Sequence, residues 1–264
     1  EYARRFLVAD EVGLGKTLVA RAVIAQAIDH LWDDRDRIDI VYLCSNGSIA
    51  RQNLDRLVLD EDQEHAFTSR ITLLPKTAHS FDENKVNYIS FTAGTSLDLK
   101  SSMGRKEERV LLYYLLKEPW NLTGKAPLNV LQGRAGVDGF RPMVDNFDAT
   151  IDEDLAESFI AALDERPELE REFKELCEHY PRYNSRVSDS VQARRREVLG
   201  EIRSVLASVC VQALSPDLII LDEFQRFRDV LDGETDEGEL ARELFSYSDT
   251  HAESRVMLLS ATPY

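Results

Sequence analysis

Three consecutive residues near the start of the sequence, Gly15, Lys16 and Thr17, have the chemistry needed to bind phosphate. They follow the apolar run 5–9, which predicts a buried strand, and precede 18–30, where apolar residues recur at helical spacing. A strand, a glycine-containing turn and a helix form a P-loop, in which backbone N–H groups converge on phosphate oxygens. In such a loop the lysine neutralises the β- and γ-phosphates and the threonine hydroxyl ligates Mg²⁺. The alternative is a surface turn that contains these residues by chance, which the flanking strand and helix disfavour.

The turn before this helix departs from the pattern G-x-x-x-x-G-K-[ST] at one position, because Asp10 stands where the first glycine is expected. Gly13 and Gly15 permit a close approach of the backbone to a ligand, where a side chain would collide. We therefore expect the turn to surround the phosphates of ATP, with Mg²⁺ beside them. The predicted nucleotide-binding residues are Asp10, Glu11, Val12, Gly13, Leu14, Gly15, Lys16, Thr17 and Leu18.

A pair of carboxylates, Asp222 and Glu223, follows the apolar run 218–221, which predicts another buried strand. Ligands of a parallel sheet gather at the carboxyl ends of its strands, so these acids are expected at the phosphate site. We predict that Asp222 and Thr17 hold Mg²⁺, the aspartate through water, and that Glu223 orients the attacking water. The alternative is a pair of solvated acids that ends a strand, which the phosphate-binding segment upstream disfavours.

Hydroxyl groups follow a further apolar run, 256–259, in the tripeptide Ser260-Ala261-Thr262. It is the third element in chain order after the glycine turn and the paired acids. We expect its hydroxyls to hydrogen-bond the segment 222–225 and so to report whether the γ-phosphate is present. Catalytic roles are predicted for Lys16, Glu223 and Gln225, and a coupling role for Ser260, Ala261 and Thr262.

Strands alternate with helices through much of the chain, and the strand runs are apolar on both faces. This pattern predicts an α/β fold of three layers, in which helices cover both faces of a parallel sheet. The span between 92 and 218 is too long for a connection between neighbouring strands, which takes ~2 to 6 residues plus a helix, so it predicts a helical insertion. Further strands are predicted at 38–43 and 86–91, helices at 48–57, 106–116, 190–214 and 237–247, and a loop at 121–147. Two amphipathic helices are also predicted, one with its apolar face within 155–163 and one that begins at Pro167 with its apolar face within 169–180.

These segments together resemble the motifs of the superfamily 2 helicases and translocases, most closely the Swi/Snf-type branch and the bacterial polymerase-recycling translocases. In that branch motif I has an aspartate at the position of Asp10. Motif II departs from the usual DEAD or DEAH by ending in Phe224-Gln225. The corresponding segments are 9–17 for motif I, 41–45 with the helix after it for motif Ia, 88–92 for motif Ib, 221–225 for motif II and 259–263 for motif III.

The resemblance implies the first RecA-like lobe of a nucleic-acid-dependent ATPase, either a helicase or a double-stranded DNA translocase. The lobe is expected in two parts, 1–102 and 191–264, on either side of a helical insertion at 103–190. ATP and Mg²⁺ are the implied cofactors. The implied partners are nucleic acid, expected to be duplex DNA, and a second RecA-like lobe with arginine fingers in a longer parent chain. The residues expected to grip nucleic-acid phosphates are Ser45, Asn46, Ser48 and Arg51.

The alternative function is that of a P-loop protein without motor activity, such as a small-molecule kinase or a nucleotide-dependent switch. A kinase needs a lid with arginines and an acceptor pocket, and it rarely carries both Asp222-Glu223 and Ser260-Ala261-Thr262. A second αβ lobe with an arginine-bearing motif in the parent sequence would distinguish the motor from the switch.

The composition of the 264 residues is that of a folded chain, with 43% hydrophobic residues. The net charge of −16 argues against a nucleic-acid partner, but residues 151–180 alone hold 11 acidic and 3 basic side chains, half of that charge. No apolar run approaches the ~18 to 20 residues that span a bilayer, so no membrane partner is expected. Three widely spaced cysteines, Cys44, Cys177 and Cys210, predict free thiols in a reducing compartment and hence a cytoplasmic protein.

Overall fold

The computed structural model describes much of the chain and divides it into two compact units. The described residues are 5–9, 15–44, 47–59, 66–67, 70–78, 81, 83–92, 103–133, 135–148, 150–183, 185–227 and 254–260, with the backbone alone at 47–51, 66–67, 137 and 226–227. The first unit, here called the sheet unit, comprises Glu1–Asp98 and Val211–Tyr264. The second, the helical unit, comprises Leu99–Cys210 and contains the whole of the predicted insertion 103–190.

In the described part of the sheet unit, six parallel strands form one sheet in the order β1-β6-β5-β2-β4-β3. This arrangement confirms the predicted α/β fold with a parallel sheet. Every strand run predicted from the sequence forms a strand, and the two-residue strand β3 at the edge was not predicted. The strands are β1 (Arg5–Ala9), β2 (Ile38–Cys44), β3 (Ala66–Phe67), β4 (Val86–Thr92), β5 (Leu218–Asp222) and β6 (Arg255–Ser260).

Two helices, α1 (Lys16–Leu31) and α2 (Gly47–Leu57), pack on one face of the sheet. Their buried residues share a core with alternate residues of β2, β4, β5 and β6, because successive side chains of a strand point to opposite faces. Every residue of β2 and β4 is buried, so both faces of the sheet are shielded from water at its centre. The residues of β1 alternate between exposed and partly buried, as is usual for a strand at the edge of a sheet.

A polar cluster lies at the amino ends of the central strands, around the buried carboxylate of Asp39. Arg37 forms an ion pair with Asp39 at 2.8 Å, and the side-chain amide of Asn87 donates to its other oxygen at 2.9 Å. The backbone N–H of Asp39 donates to the side chain of Asp217 at 3.0 Å. Burial raises the pKa of Asp39 to about 6, against the opposing effect of the Arg37 charge and the Asn87 hydrogen bond.

The helical unit contains helices with clear apolar faces, as predicted, and two further helices that correct the sequence-based prediction. The predicted loop at 121–147 contains α4 and α5. Pro127 lies in the first turn of α4, and Gly133 follows the helix with φ +60°. These two residue types suggested a loop, but here they mark the start and the end of a helix. The helices are α3 (Lys106–Lys117), α4 (Ala126–Gln132), α5 (Val137–Asp145), α6 (Glu153–Asp164), α7 (Pro167–His179) and α8 (Asp189–Leu214), of which 211–214 belong to the sheet unit.

A buried ion pair links two helices of this unit. Arg203 on α8 donates from Nε and a terminal nitrogen to the Glu108 Oε1 on α3, at 3.1 and 2.9 Å. Each side chain is only 1% exposed. The other oxygen of Glu108 accepts the backbone N–H of Arg105 at 2.6 Å, which caps α3. Among the helices that the structure describes, none has the length and apolar character needed to cross a membrane.

Candidate nucleotide-binding site

The carboxyl ends of three strands, β1, β6 and β5, lie level with one another along one side of the sheet, here called the carboxyl edge. Ala9 at the end of β1 is paired with Ser260 of β6, and Asp222 at the end of β5 is paired with Leu259 of β6. Neighbouring strands are about 4.8 Å apart, so the ends of β1 and β5 are separated by about 10 Å, with β6 between them. The register therefore brings the three strand ends that precede the predicted site segments to one edge.

Helix α1 begins with the predicted glycine, lysine and threonine. Gly15 adopts φ +93°, a left-handed conformation that suits glycine, and its carbonyl accepts the N–H groups of Leu18 and Val19 at 2.8 and 3.1 Å. In the described part of the chain no side chain caps this end, and the first turn holds no acidic residue. The N-terminus of α1 therefore keeps the positive end of its dipole without a carboxylate of its own to neutralise it. Lys16 and Thr17 are half-buried here, and Leu18 is 71% exposed.

The Asp222 carboxylate is held by two side chains from other elements. The Tyr42 hydroxyl on β2 donates to Asp222 Oδ2 at 2.6 Å. The amide nitrogen of Asn53 on α2 donates to the Tyr42 oxygen at 2.9 Å and lies 3.3 Å from the same carboxylate oxygen. Burial, followed by the Asp222 charge, raises the pKa of Tyr42 far above its usual value, so this hydroxyl stays protonated as the donor.

Glu223 occupies a strained position immediately after β5. Its φ is +55°, in the left-handed region that residues with a Cβ rarely adopt. The backbone N–H of Glu223 donates to Asp222 Oδ1 at 3.0 Å, which ties the strained residue to the end of the strand. The side chain of Glu223 is half-buried at the carboxyl edge.

The expected link between Ser260 and the segment after β5 is present. The Ser260 hydroxyl donates to the Gln225 side-chain carbonyl oxygen at 3.2 Å. Gln225 belongs to a 3-10 helix, Phe224–Phe227, that packs against β6. The structure thus brings Asp222, Glu223, Gln225 and Ser260 together, and it places Lys16 and Thr17 on α1, which packs against β2 and β5.

Several predicted residues lie outside what the structure describes. Ser48 and Arg51 belong to α2, where only the backbone is described at those positions. The predicted helix 237–247 is also outside the described residues. The predicted site residues not described are Asp10, Glu11, Val12, Gly13, Leu14, Ser45, Asn46, Ala261 and Thr262.

Tyr42 and Asn53 are site residues that the sequence did not reveal. A tyrosine near the carboxyl end of a buried strand is a signal of a buried hydroxyl in need of a partner. The partner itself is not readable from the sequence, because it depends on the pairing of β2 with β5. Asn53 carries no comparable signal.

The residues at this edge fit a magnesium ion that is bound together with a nucleotide. In the described residues no group of three or more histidine, cysteine, aspartate or glutamate side chains converges on one point. Magnesium in nucleotide sites takes one or two carboxylates and completes its shell with phosphates and water, so Asp222 suffices as the carboxylate. Comparisons with family models, with curated proteins and with solved structures found no match to this chain.

Proposed function

We propose that the chain is the ATP-binding, RecA-like lobe of a nucleic-acid-dependent ATPase that couples hydrolysis to movement on duplex DNA. One observation carries this proposal: the ends of β1, β6 and β5 are level at one edge of a parallel sheet. β1 leads toward Gly15-Lys16-Thr17 on α1, β6 ends in Ser260, and β5 ends in Asp222. A phosphate cradle, a metal carboxylate and a coupling hydroxyl at one edge are the parts that such a lobe requires.

Each part has a distinct role in the proposal. The N-terminus of α1 and the ammonium group of Lys16 attract the phosphates, since both are positive and the first turn has no acid. Thr17 and Asp222 would hold Mg²⁺, which neutralises charge on the transferred phosphoryl group when bound. Glu223 orients and polarises the attacking water. Its left-handed backbone supports this role, because strained residues concentrate at functional sites.

The hydrogen bond between Ser260 and Gln225 supports a motor rather than a small-molecule kinase. It connects β6 to the segment that follows Asp222, so a movement of that segment would displace the end of β6. In the proposal this link passes the state of the nucleotide to the nucleic-acid contacts Ser45, Asn46, Ser48 and Arg51. A second lobe in the parent chain completes the site with arginines, and DNA is gripped between the lobes.

Binding of a fluorescent ATP analogue in the presence of Mg²⁺ tests the phosphate site. Lys16→Ala should weaken binding by about 10- to 100-fold, the equivalent of one charge-assisted contact of about 1.5 to 3 kcal/mol. Glu223→Gln should bind within a few-fold of the wild type, since it keeps shape and removes only the charge that activates water. Lys174→Ala, an exposed lysine that pairs with Glu170, is the control for a lost surface charge. Retention of binding in Lys16→Ala would refute the phosphate-site assignment.

Phosphate release with and without saturating duplex DNA tests the two-lobe motor. The 264-residue chain should release phosphate slowly in both conditions, because an arginine finger alone contributes about 10³- to 10⁵-fold to turnover. Robust turnover stimulated by DNA would mean that one lobe contains a complete catalytic site. The two-lobe assignment would then have to be abandoned.

A further inference from the structure

The hydrogen-bonding capacity of the Asp222 carboxylate is almost filled by the protein. Oδ2 accepts the Tyr42 hydroxyl at 2.6 Å and lies 3.3 Å from the Asn53 amide nitrogen, and Oδ1 accepts the Glu223 N–H at 3.0 Å. An ionised carboxylate has about four lone-pair positions for hydrogen bonds or metal. The residues that the structure describes thus engage three of these positions, and the fourth is on Oδ1.

The direction of the hydrogen bonds is fixed by the chemistry of the partners. Asp222 as a carboxylate only accepts, so the Tyr42 hydroxyl donates to it and uses its own oxygen to accept from Asn53 at 2.9 Å. A donor that itself accepts a hydrogen bond is polarised and donates more strongly. The distance of 2.6 Å lies in the range of charge-assisted O–H···O⁻ bonds.

Two packed elements deliver these donors. Tyr42 is 1% exposed in the middle of the sheet, and it points to the face covered by α1 and α2. Asn53 lies on α2, one residue before Leu54, which is fully buried in the same core. Tyrosine and asparagine are therefore held by packing, and Asp222 has little freedom to rotate.

We propose that Tyr42 and Asn53 are positioning residues that orient Asp222 for a single contact with Mg²⁺ or with one of its waters. The proposal rests on the proposed function of the site. A contact through both carboxylate oxygens would require Oδ2 to give up Tyr42 or Asn53, so Asp222 acts through Oδ1 alone. Neither positioning residue touches the nucleotide, and their effect appears in the metal dependence of binding.

The test measures how much Mg²⁺ the 264-residue chain needs to bind mant-ADP, a fluorescent nucleotide, at a fixed nucleotide concentration. Tyr42→Phe removes one hydroxyl and should raise the Mg²⁺ concentration at half-saturation by about 10-fold or more, as loss of a partner behind a metal ligand does. Asn53→Leu should raise it less, because its direct bond to Asp222 is longer. Affinity for mant-ADP in EDTA should stay unchanged in both variants.

Tyr114→Phe is the matched control, because it also removes a tyrosine hydroxyl with one short hydrogen bond. That hydroxyl donates to the Val144 carbonyl at 2.7 Å in the helical unit. The control should show the wild-type Mg²⁺ requirement. If the loss of any hydrogen-bonded tyrosine hydroxyl raised the Mg²⁺ requirement, Tyr114→Phe would raise it as much as Tyr42→Phe.

The outcomes separate this inference from the proposed function. A wild-type Mg²⁺ requirement in Tyr42→Phe, with Mg²⁺-dependent binding in the wild type, overturns the positioning role and leaves the proposed function standing. Equal weakening of mant-ADP binding with Mg²⁺ and in EDTA also overturns it, since the role would be structural. Wild-type protein that binds no mant-ADP, or binds it without regard to Mg²⁺, overturns both. If Tyr42→Phe does not fold, Asn53→Leu decides by the same criteria.

Discussion

Replacement of Arg203 by methionine should destabilise the helical unit far more than the loss of any exposed charge. Methionine has similar length and an apolar character, so the change removes the guanidinium without opening a large cavity. Glu108, which is 1% exposed, would then lose both hydrogen bonds from Arg203 and keep the one from the Arg105 N–H. A buried carboxylate without its partner typically costs about 3 to 5 kcal/mol.

The structure indicates the lower end of that range. Arg109 interacts electrostatically with Glu108 and would continue to offset its charge after Arg203 is removed. Burial lowers the pKa of Arg109, yet an arginine stays protonated at neutral pH and keeps this role. We therefore expect a loss of about 3 kcal/mol in the free energy of unfolding.

Urea unfolding followed by circular dichroism measures this loss against two control variants. Arg194→Met, on the same helix, removes an arginine that is 46% exposed and pairs with Glu172 and Glu197, so it should cost under about 1 kcal/mol. The double variant Glu108→Leu with Arg203→Met removes both buried charges and should recover most of the loss. The reasoning is refuted if Arg203→Met costs no more than Arg194→Met, or if the double variant is the least stable of the set.

Two further predictions concern the buried carboxyl group of Asp39 and the left-handed backbone conformation of Glu223. Because the native state raises the pKa of Asp39 to about 6 from 3.8, its contribution to stability is full below pH 3.8 and lost as the pH rises through 6. Between pH 4 and 7 the free energy of unfolding of the wild type should fall by about 2 kcal/mol more than that of Asp39→Asn; parallel curves would contradict the raised pKa. The free energy of unfolding of Glu223→Gly should exceed that of Glu223→Ala by about 1 kcal/mol, because only glycine adopts φ +55° without strain. Glu223→Gly should therefore unfold at a higher urea concentration. Equal midpoints would exclude that strain.

The strands and the amphipathic helices were predictable because burial imposes a period on neighbouring residues. β5 and α8 extend the predicted 218–221 and 190–214 by one residue each. Helices α4 and α5 were missed because they are short and contain the glycines and prolines that normally indicate a loop. In α4 these residues lie at the two ends, where a fixed or positive φ is needed, so they delimit the helix and do not exclude it.

The candidate site was predictable only as far as its chemistry is local in the sequence. Asp222 and Ser260 were recognisable because each follows an apolar run, and residue type and position are visible together. The hydrogen bond from Tyr42 to Asp222 was not predictable, because it requires β2 to lie beside β5, and strand order is a property of the whole fold. The left-handed turn at Glu223 was also hidden, since such a turn normally has glycine or asparagine.

The strand order also determines when the carboxyl edge exists during synthesis of the chain. Among the strands that the structure describes, β1 leaves the ribosome first and β6 last, yet the two pair with each other. β1 therefore waits unpaired while the rest of the sheet unit and the whole helical unit are made. A parallel pairing between segments so far apart in the sequence forms slowly, because closing the long loop costs conformational entropy before the strand contacts can form. A ligand that contacts the ends of both β1 and β6 can therefore assist folding only after β6 has emerged.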